Sequence, residues 1–191
     1  MISHMSEQTS AINNCLQIIM AMKIWAADEK GVFPDAKLPA TATVNDVFRT
    51  LIRDEIIHDE RIFGARLTPF KPDGQIGAAP NFAQALQPGE NHWMMMAGLN
   101  NDSLATNAPF VFENTLNPAW PLTWRMDKQK QPVRGRTWLG DKIIIGRLDH
   151  TVTLEKLVRE KGALTLPAKL RHAVEQDMKA PIRILDIEEK K

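Results

Sequence analysis

From Ile12 to Ala26 the apolar residues Ile12, Cys15, Leu16, Ile19, Met22 and Ala26 recur at three- and four-residue spacing, the period of one stripe on a helix. Ile18 and Trp25 widen that stripe beyond a coiled-coil seam, to the width of a helix lying on a sheet. Gly31 supplies a C-terminal stop and Pro34 forbids continuation. The spacing therefore predicts a helix over 6–30, roughly 35–40 Å long at about 1.5 Å per residue.

Past Pro34 the pattern changes several times. Residues 35–43 read as a loop. Thr43, with Asp46 three residues on, predicts a helix N-terminus, and Val44, Val47, Phe48, Leu51 and Ile52 form its apolar face, ending near 53–56. Pro, Gly, Ala and Asn crowd residues 64–89, which read as a surface excursion. Short apolar runs at 92–99, 108–113 and 122–126, bounded by turn signals, predict strands. A hairpin about Gly140-Asp141 is expected over 138–147, with Ile143-Ile144-Ile145 as a buried strand. A turn at Asp149-His150 leads into 151–154. Residues 154–161 read as a short helix closed by Gly162, and 168–179 as another, opened by Pro167 and stopped by Pro181, with Leu170, Ala173, Val174 and Met178 on one face. Residues 182–187 alternate imperfectly, as an edge strand before the charged tail. Together these predict an α+β fold, a long N-terminal amphipathic helix packed on an antiparallel β-sheet with short additional helices.

Composition narrows the picture. The chain has 191 residues, 43% hydrophobic and 25% charged, enough to bury a core without staples. Lys and Arg total 24 against 23 Asp and Glu, and no basic stripe recommends a nucleic-acid partner. One cysteine cannot form an internal disulfide. Cys15 lies on the helical stripe and reads as a buried thiol.

Wording beyond periodicity carries a family resemblance. The phrases Asn13-Asn14-Cys15-Leu16-Gln17-Ile18, Ala21-Met22-Lys23-Ile24-Trp25-Ala26 and Asp28-Glu29-Lys30-Gly31-Val32-Phe33-Pro34 resemble the exposed half of the helix in bacterial type IV pilin-like and type II secretion pseudopilin-like proteins as it runs into the globular head. Residues 45–52, 59–63, 87–93 and 143–152 are similar to later phrases of such heads. The resemblance implies a pilin-like fold and a structural, non-enzymatic subunit. Its partners would be other pilin-like or pseudopilin subunits and the secretion or pilus assembly machinery. It also implies a basic leader, a processing motif and about twenty apolar anchoring residues, which residues 1–12 do not contain. Met1-Ile2-Ser3-His4-Met5 reads instead as an expression-tag remnant. The expected organisation is a remnant over 1–5 and one pilin-like domain over 6–191, with a helix stem at 6–30, a head at 31–180 and a tail at 181–191. The full-length protein is expected to be anchored in the inner membrane, its head periplasmic or extracellular.

Residues able to do chemistry are scattered. There is no His-Glu-x-x-His, no phosphate-binding glycine loop and no Gly-x-Ser-x-Gly elbow, so no catalytic, cofactor-binding or metal residue is assigned and no cofactor is expected. His58-Asp59-Glu60 reads as a solvated turn, because adjacent side chains diverge. His92 is expected to be structural or partly exposed, and His150 to sit at a turn tip. Asn100-Asn101-Asp102-Ser103 and Asp73-Gly74 offer oxygens but too little charge for calcium. Trp25, Trp93, Trp120, Trp124 and Trp138, without one tyrosine, read as core around a helix-on-sheet contact, as does Met94-Met95-Met96. The alternative to a filament subunit is an envelope module that binds a ligand or glycan through a Trp-rich sheet and the 64–89 loop.

Overall fold

The computed structural model describes residues 4–126 and 130–191; Met1 to Ser3 of the expected tag remnant lie outside the described residues. The expected first helix is present as α1, His4–Ala27, starting slightly earlier and ending one turn sooner than the spacing predicts. Gly31 closes it at φ 83°, where its N–H donates to the carbonyl of Ala26 at 2.8 Å. A positive φ is tolerated by glycine at little cost, which is why the stop falls there.

Following α1 come a 3₁₀ turn at Pro34–Lys37, helix α2 at Val44–Arg53 and a second 3₁₀ turn at Glu60–Phe63. Thr43 caps α2 as expected. Its hydroxyl accepts from the Asp46 N–H at 3.2 Å while the Asp46 carboxylate accepts from the Thr43 N–H at 2.9 Å, a reciprocal capping box. The apolar face Val44, Val47, Phe48, Leu51 and Ile52 is buried. Thr43→Ala is expected to destabilise by about 1 kcal/mol, a drop of roughly 2–4 °C in melting temperature for a chain of this size, measurable by calorimetry. An unchanged transition would mean the cap is dispensable.

The strands are β1 Trp93–Met96, β2 Pro109–Glu113, β3 Thr123–Trp124, β4 Lys142–Arg147, β5 Val152–Lys156, β6 Val158–Glu160, β7 Ala163–Thr165 and β8 Ile184–Leu185, with helix α3 at Ala168–Met178 before β8. Five of them form one sheet in the order β5-β4-β2-β1-β8, and β3-β7-β6 form a second. The pairings between these strands are antiparallel, so the α+β class and the antiparallel sheet stand as expected. Pro109 lacks an N–H, and the β2–β4 register shifts between Pro109 and Val111, as a proline at a strand start allows.

The expected helix over 154–161 is not formed. Leu154, Leu157 and Val158 have helical spacing, yet Val152 to Lys156 pair residue for residue with β4, Ile145 opposite Thr153 and Ile143 opposite Glu155. Beyond them β6 pairs with β7 across Lys161 and Gly162, at φ 49° and 83°, the backbone of a two-residue hairpin turn. Pairing with a strand already in place overrides a short helical pattern. The other elements fall where expected, with β8 as the edge strand of the larger sheet. Of the face expected for α3, Val174 is buried, Leu170 and Met178 are half-buried and Ala173 is exposed.

β1 and β2 are buried along their whole length, because both faces of the central sheet are covered. One is covered by α1. Cys15 and Ile19 come against Gly146 of β4, and the Cys15 thiol lies 3.5 Å from the carbonyl of Val111 in β2. Burial first, then the nearby charge of Glu113, hold that thiol well above its ordinary pKa, in keeping with an inert buried cysteine.

Candidate functional site

Helix α1 has three sides. Cys15, Ile19, Met22 and Ala26 are buried toward the sheet. Ala11, Ile18, Ala21 and Trp25 are also buried, and the contacts on this flank reach residues 54–66. The Trp25 indole donates to Asp54 at 2.7 Å, Asn14 donates to the carbonyl of Gly64, and Glu7 pairs with Arg66. The third side faces outward. Leu16 was expected on the buried stripe, but it is 37% exposed, with Met20 at 43% and Ile24 at 55%. These three stand at i, i+4 and i+8, a continuous ridge on the helix surface.

Beside the ridge runs a groove of about 470 Å³, lined by Leu16, Met20, Ile24, Ile56, Ile57 and Ile62, with Gln17, Ala21, His58 and Asp59. From Gln8 to Ala27 the only charged residue of α1 is Lys23, which is half-buried with its ammonium 5.8 Å from the Phe33 ring centre. The outward face therefore carries no charge in a chain that is one-quarter charged, and it exposes three large apolar side chains beside the polar Asn13 and Gln17. An exposed apolar ridge beside a largely apolar groove is the kind of surface that protein contacts use.

The side chains of His58, Asp59 and Glu60 diverge, as adjacent positions must, but the solvated turn expected here holds only for the first two, because Glu60 is drawn inward by backbone donors. His58 lies on the groove wall. Asp59 is exposed and forked to Arg61, with Nη2 at 2.7 Å, and this hydrogen bond holds its carboxyl below the ordinary range. Glu60 turns inward, fully buried, and accepts from the N–H groups of Gly74 and Leu86, each at 2.9 Å.

Glu60 thereby meets Asp73 and Glu90, with carboxylate oxygens of all three within 4.8 Å of one another. The sequence gives no sign of this meeting, since the three residues lie in separate loops joined only by the fold. The trio has the hard oxygen chemistry of a divalent-cation ligand set, though Glu60 already spends both oxygens on backbone donors. Burial, with the Glu90 charge adding, raises the Glu60 carboxyl against the opposing pull of those donors. Burial, with Asp73 adding, raises Glu90.

Asp35 is buried too. One oxygen accepts from Gly98 N–H at 2.9 Å and the other finds no partner among the described residues, and burial raises its carboxyl. A carboxyl whose folded pKa is raised contributes stability below the unfolded value, near 4, and loses it as pH rises through the folded value. Thermal stability is accordingly expected to increase on acidification from neutral pH to about 5. Asp35→Asn should raise the neutral-pH melting temperature and flatten that slope. A slope of opposite sign in a melting series against pH would defeat this account.

A second polar cluster lies wholly inside the molecule. Glu113, at the end of β2, accepts from the Trp138 indole at 2.8 Å, from the Ile144 N–H at 2.9 Å and from His92 Nε2 at 3.0 Å. Asn114 fixes the tautomer. Its oxygen accepts from the Gly135 N–H at 2.8 Å, so its amide nitrogen is the atom 3.0 Å from His92 Nδ1, which must be the ring's acceptor. The ring proton then sits on Nε2, facing Glu113, and the Thr68 hydroxyl at 2.9 Å donates to Nδ1 as well. His92, expected to be structural or partly exposed, is buried and structural. Every member of the cluster is buried, and its hydrogen bonds order the core.

Among the tryptophans Trp25, Trp93, Trp124 and Trp138 are core residues. Trp120 is half-buried, its indole donating to Glu175 at 2.8 Å. His150 occupies its turn tip at φ 74°. The excursion over 64–89 is largely exposed from 71 to 84 and is pinned by buried Phe70, Ala85 and Leu86.

The reading of the sequence missed the outward ridge. The available signal was that apolar residues occupy more of the α1 circumference than one contact can cover, and that charge is missing from the remainder. Among the described residues no helix is long and apolar enough to cross a membrane. Comparison of the chain with protein-family models, with characterised proteins and with solved structures finds no match.

Proposed function

We propose that this chain is a non-catalytic assembly subunit of the pilin-like or pseudopilin-like kind, acting through protein–protein contacts of its helix and head. The observation that carries the reading is the two-sidedness of α1, with one side sealed onto an antiparallel sheet and the other uncharged, with the ridge Leu16, Met20 and Ile24 left exposed beside a groove. The resemblance of residues 13–34 and of the later phrases to such heads supports it from the sequence side. The reading brings with it an apolar anchoring segment ahead of Ser6, inner-membrane attachment and a head in the periplasm or outside the cell.

The test is expression of the gene with its upstream coding sequence in a host carrying prepilin-processing machinery. Leader cleavage, membrane insertion and recovery in filaments are the expected results. A product that is neither cleaved nor membrane-associated would sink the reading.

For the alternative of an envelope-binding module, Trp93, Trp124 and Trp138 offer no ring face to a sugar, being inside the core, while half-buried Trp120 and the exposed part of the 64–89 loop stay open to that reading.

A further inference from the structure

We propose that the hairpin tip at Leu139 and the basic side chains around it form a membrane-contacting surface that takes anionic phospholipid headgroups, at the end of the molecule where α1 begins. The inference rests on reading the chain as a head held at a membrane, and adds which surface meets the bilayer and which lipid it selects.

The carrying observation is a leucine where the backbone does not favour one. Trp138 and Lys142 exchange both main-chain hydrogen bonds, at 2.6 and 2.8 Å, across the three-residue tip Leu139-Gly140-Asp141. Leu139 stands there at φ 50°, in the left-handed region that glycine and asparagine occupy readily and leucine does not. It is 61% exposed, so little burial offsets that backbone cost. Strain kept by an exposed apolar side chain is a functional signal.

The neighbouring segments supply the rest of the chemistry. Thr137 Oγ1 lies 3.0 Å from the Arg125 carbonyl oxygen and 2.8 Å from that of Gly140, and the Leu157 N–H donates to the Asp141 carbonyl at 2.8 Å. Residues 125–126 and 156–159 therefore flank the tip. They bring Met126 and Val158, 36% and 37% exposed, together with Arg125, Lys156 and Arg159, whose Nη2 reaches the Met126 sulfur at 3.5 Å. Lys142 faces Lys156 directly across the β4–β5 ladder, where like charges repel. Among the described residues these four cations have no ion pair, whereas the acids alongside, Glu155 and Glu160, are taken by Arg147 and Arg171. Between Arg125 and Arg171 the sequence holds twelve Lys and Arg against five Asp and Glu, so the near-neutral total conceals a basic stretch.

The direction of α1 sets the place of this surface. Cys15 and Ile19 lie against Gly146, and Lys23 is close enough to Asp149 to feel its charge, so α1 runs alongside β4 in the same direction. At the start of α1, Glu7 pairs with Arg66, the Arg66 carbonyl accepts from Arg136, and the Arg136 guanidinium lies 4.4 Å over the Trp138 ring. The tip thus stands at the end from which the anchoring segment of the proposed function would enter the bilayer. Apolar side chains among cations match a lipid interface, where leucine enters the acyl boundary and lysine and arginine meet the headgroups. Trp124 and Trp138, the rings beside this patch, are buried and give nucleic-acid bases nothing to stack on.

Floated on a density gradient with mixed phosphatidylglycerol–phosphatidylcholine vesicles, the chain should rise with them, and it should stay behind when the vesicles are phosphatidylcholine alone. Raising salt from about 0.1 M to 1 M should release it, as the screening length falls from roughly 10 to 3 Å. A basic residue at an anionic surface is worth about fivefold in partitioning, so Lys142→Ala combined with Lys156→Ala should weaken binding about twentyfold. Leu139→Asn should weaken it about tenfold while the melting temperature holds or rises, since asparagine suits that backbone. A polarity-sensitive dye on Leu139→Cys should shift to the blue on anionic vesicles. The same dye on Leu104→Cys should not, because Leu104, 76% exposed, lies near Thr106, whose carbonyl accepts from Asp149 at the opposite end. Cys15 is buried and stays unlabelled.

No flotation with anionic vesicles at low salt overturns the proposal, and so does a blue shift at both labelled positions or at neither. Binding that Leu139→Asn leaves intact and an oligonucleotide competes away replaces lipid with nucleic acid. A chain that ignores vesicles yet is cleaved and built into filaments loses only this surface. One that binds them through Leu139 and is never processed loses only the pilin-like reading.

Discussion

Glu113→Ala is expected to lower the melting temperature by about 10 °C or more, the largest effect of any single polar truncation in this core. Its carboxylate is the common acceptor for three buried donors, the Trp138 indole, the Ile144 N–H and His92 Nε2. In the β2–β4 ladder Val111 pairs with Gly146 and Phe112 with Ile145; one step on, the Glu113 side chain takes the Ile144 N–H. Removing it strands a main-chain donor and two ring donors together, away from water. A buried donor left without its acceptor costs about 1–3 kcal/mol, three are stranded here, and each kcal/mol is worth roughly 2–4 °C in a chain of this length. Glu113→Gln should fall between, because one oxygen is kept while an N–H₂ is pushed against donors. In a cycle with His92→Ala the double variant should be less damaged than the sum of the singles, since both deletions break the same contact. The measurements are calorimetry and tryptophan fluorescence. A drop of a few degrees would mean that water enters and takes over the acceptor's role.

The legibility of this fold in its sequence divides along physical lines. Local signals were readable. Thr43 and Asp46 place a helix start, Gly31 and Pro34 a helix end, and Asp149-His150 a turn, because each states a backbone requirement met by neighbouring residues. Ambiguity enters where a short segment satisfies two periods. Leu154, Leu157 and Val158 fit a helix, while the β-branched Val152 and Thr153 fit a strand, and only β4 lying alongside decides. The acidic trio and the Glu113 cluster were invisible for a different reason. Their members come from separate loops and strands, so no spacing along the chain records them. The outward ridge lies between these cases. Its residues were recognised as apolar and helical, but a helical stripe says which residues share a side, not how much of the circumference the rest of the chain covers. Leu16 was assigned to the core on that ground, although it lies toward the groove.

The seam between α1 and the sheet predicts the largest steric effect. Gly146 sits in β4, where a Cβ would overlap Ile19 Cδ1 and come within 2.8 Å of the Cys15 sulfur and 3.1 Å of the Val111 carbonyl oxygen. Its backbone does not demand glycine, as it is absent from the positive-φ glycines, so the requirement is for space alone. The missing side chain is what lets α1 approach the sheet closely enough to bury Cys15 and Ile19 completely. Gly146→Ala is expected to destabilise by about 1–3 kcal/mol through overpacking, and Gly146→Val by more, with loss of the cooperative transition. The cause can be isolated. Ile19→Val deletes the methyl group that makes the closest contact, and alone should cost about 0.5–1.5 kcal/mol. Combined with Gly146→Ala it should recover part of the lost stability, since one variant vacates the space the other fills, so the pair is expected to be more stable than Gly146→Ala alone. Strict additivity in that cycle would mean that α1 shifts as a body rather than yielding at Ile19. Such a shift would also move the Leu16–Met20–Ile24 ridge against Ile56 and Ile57, tying the shape of the outward groove to a single absent side chain in the core.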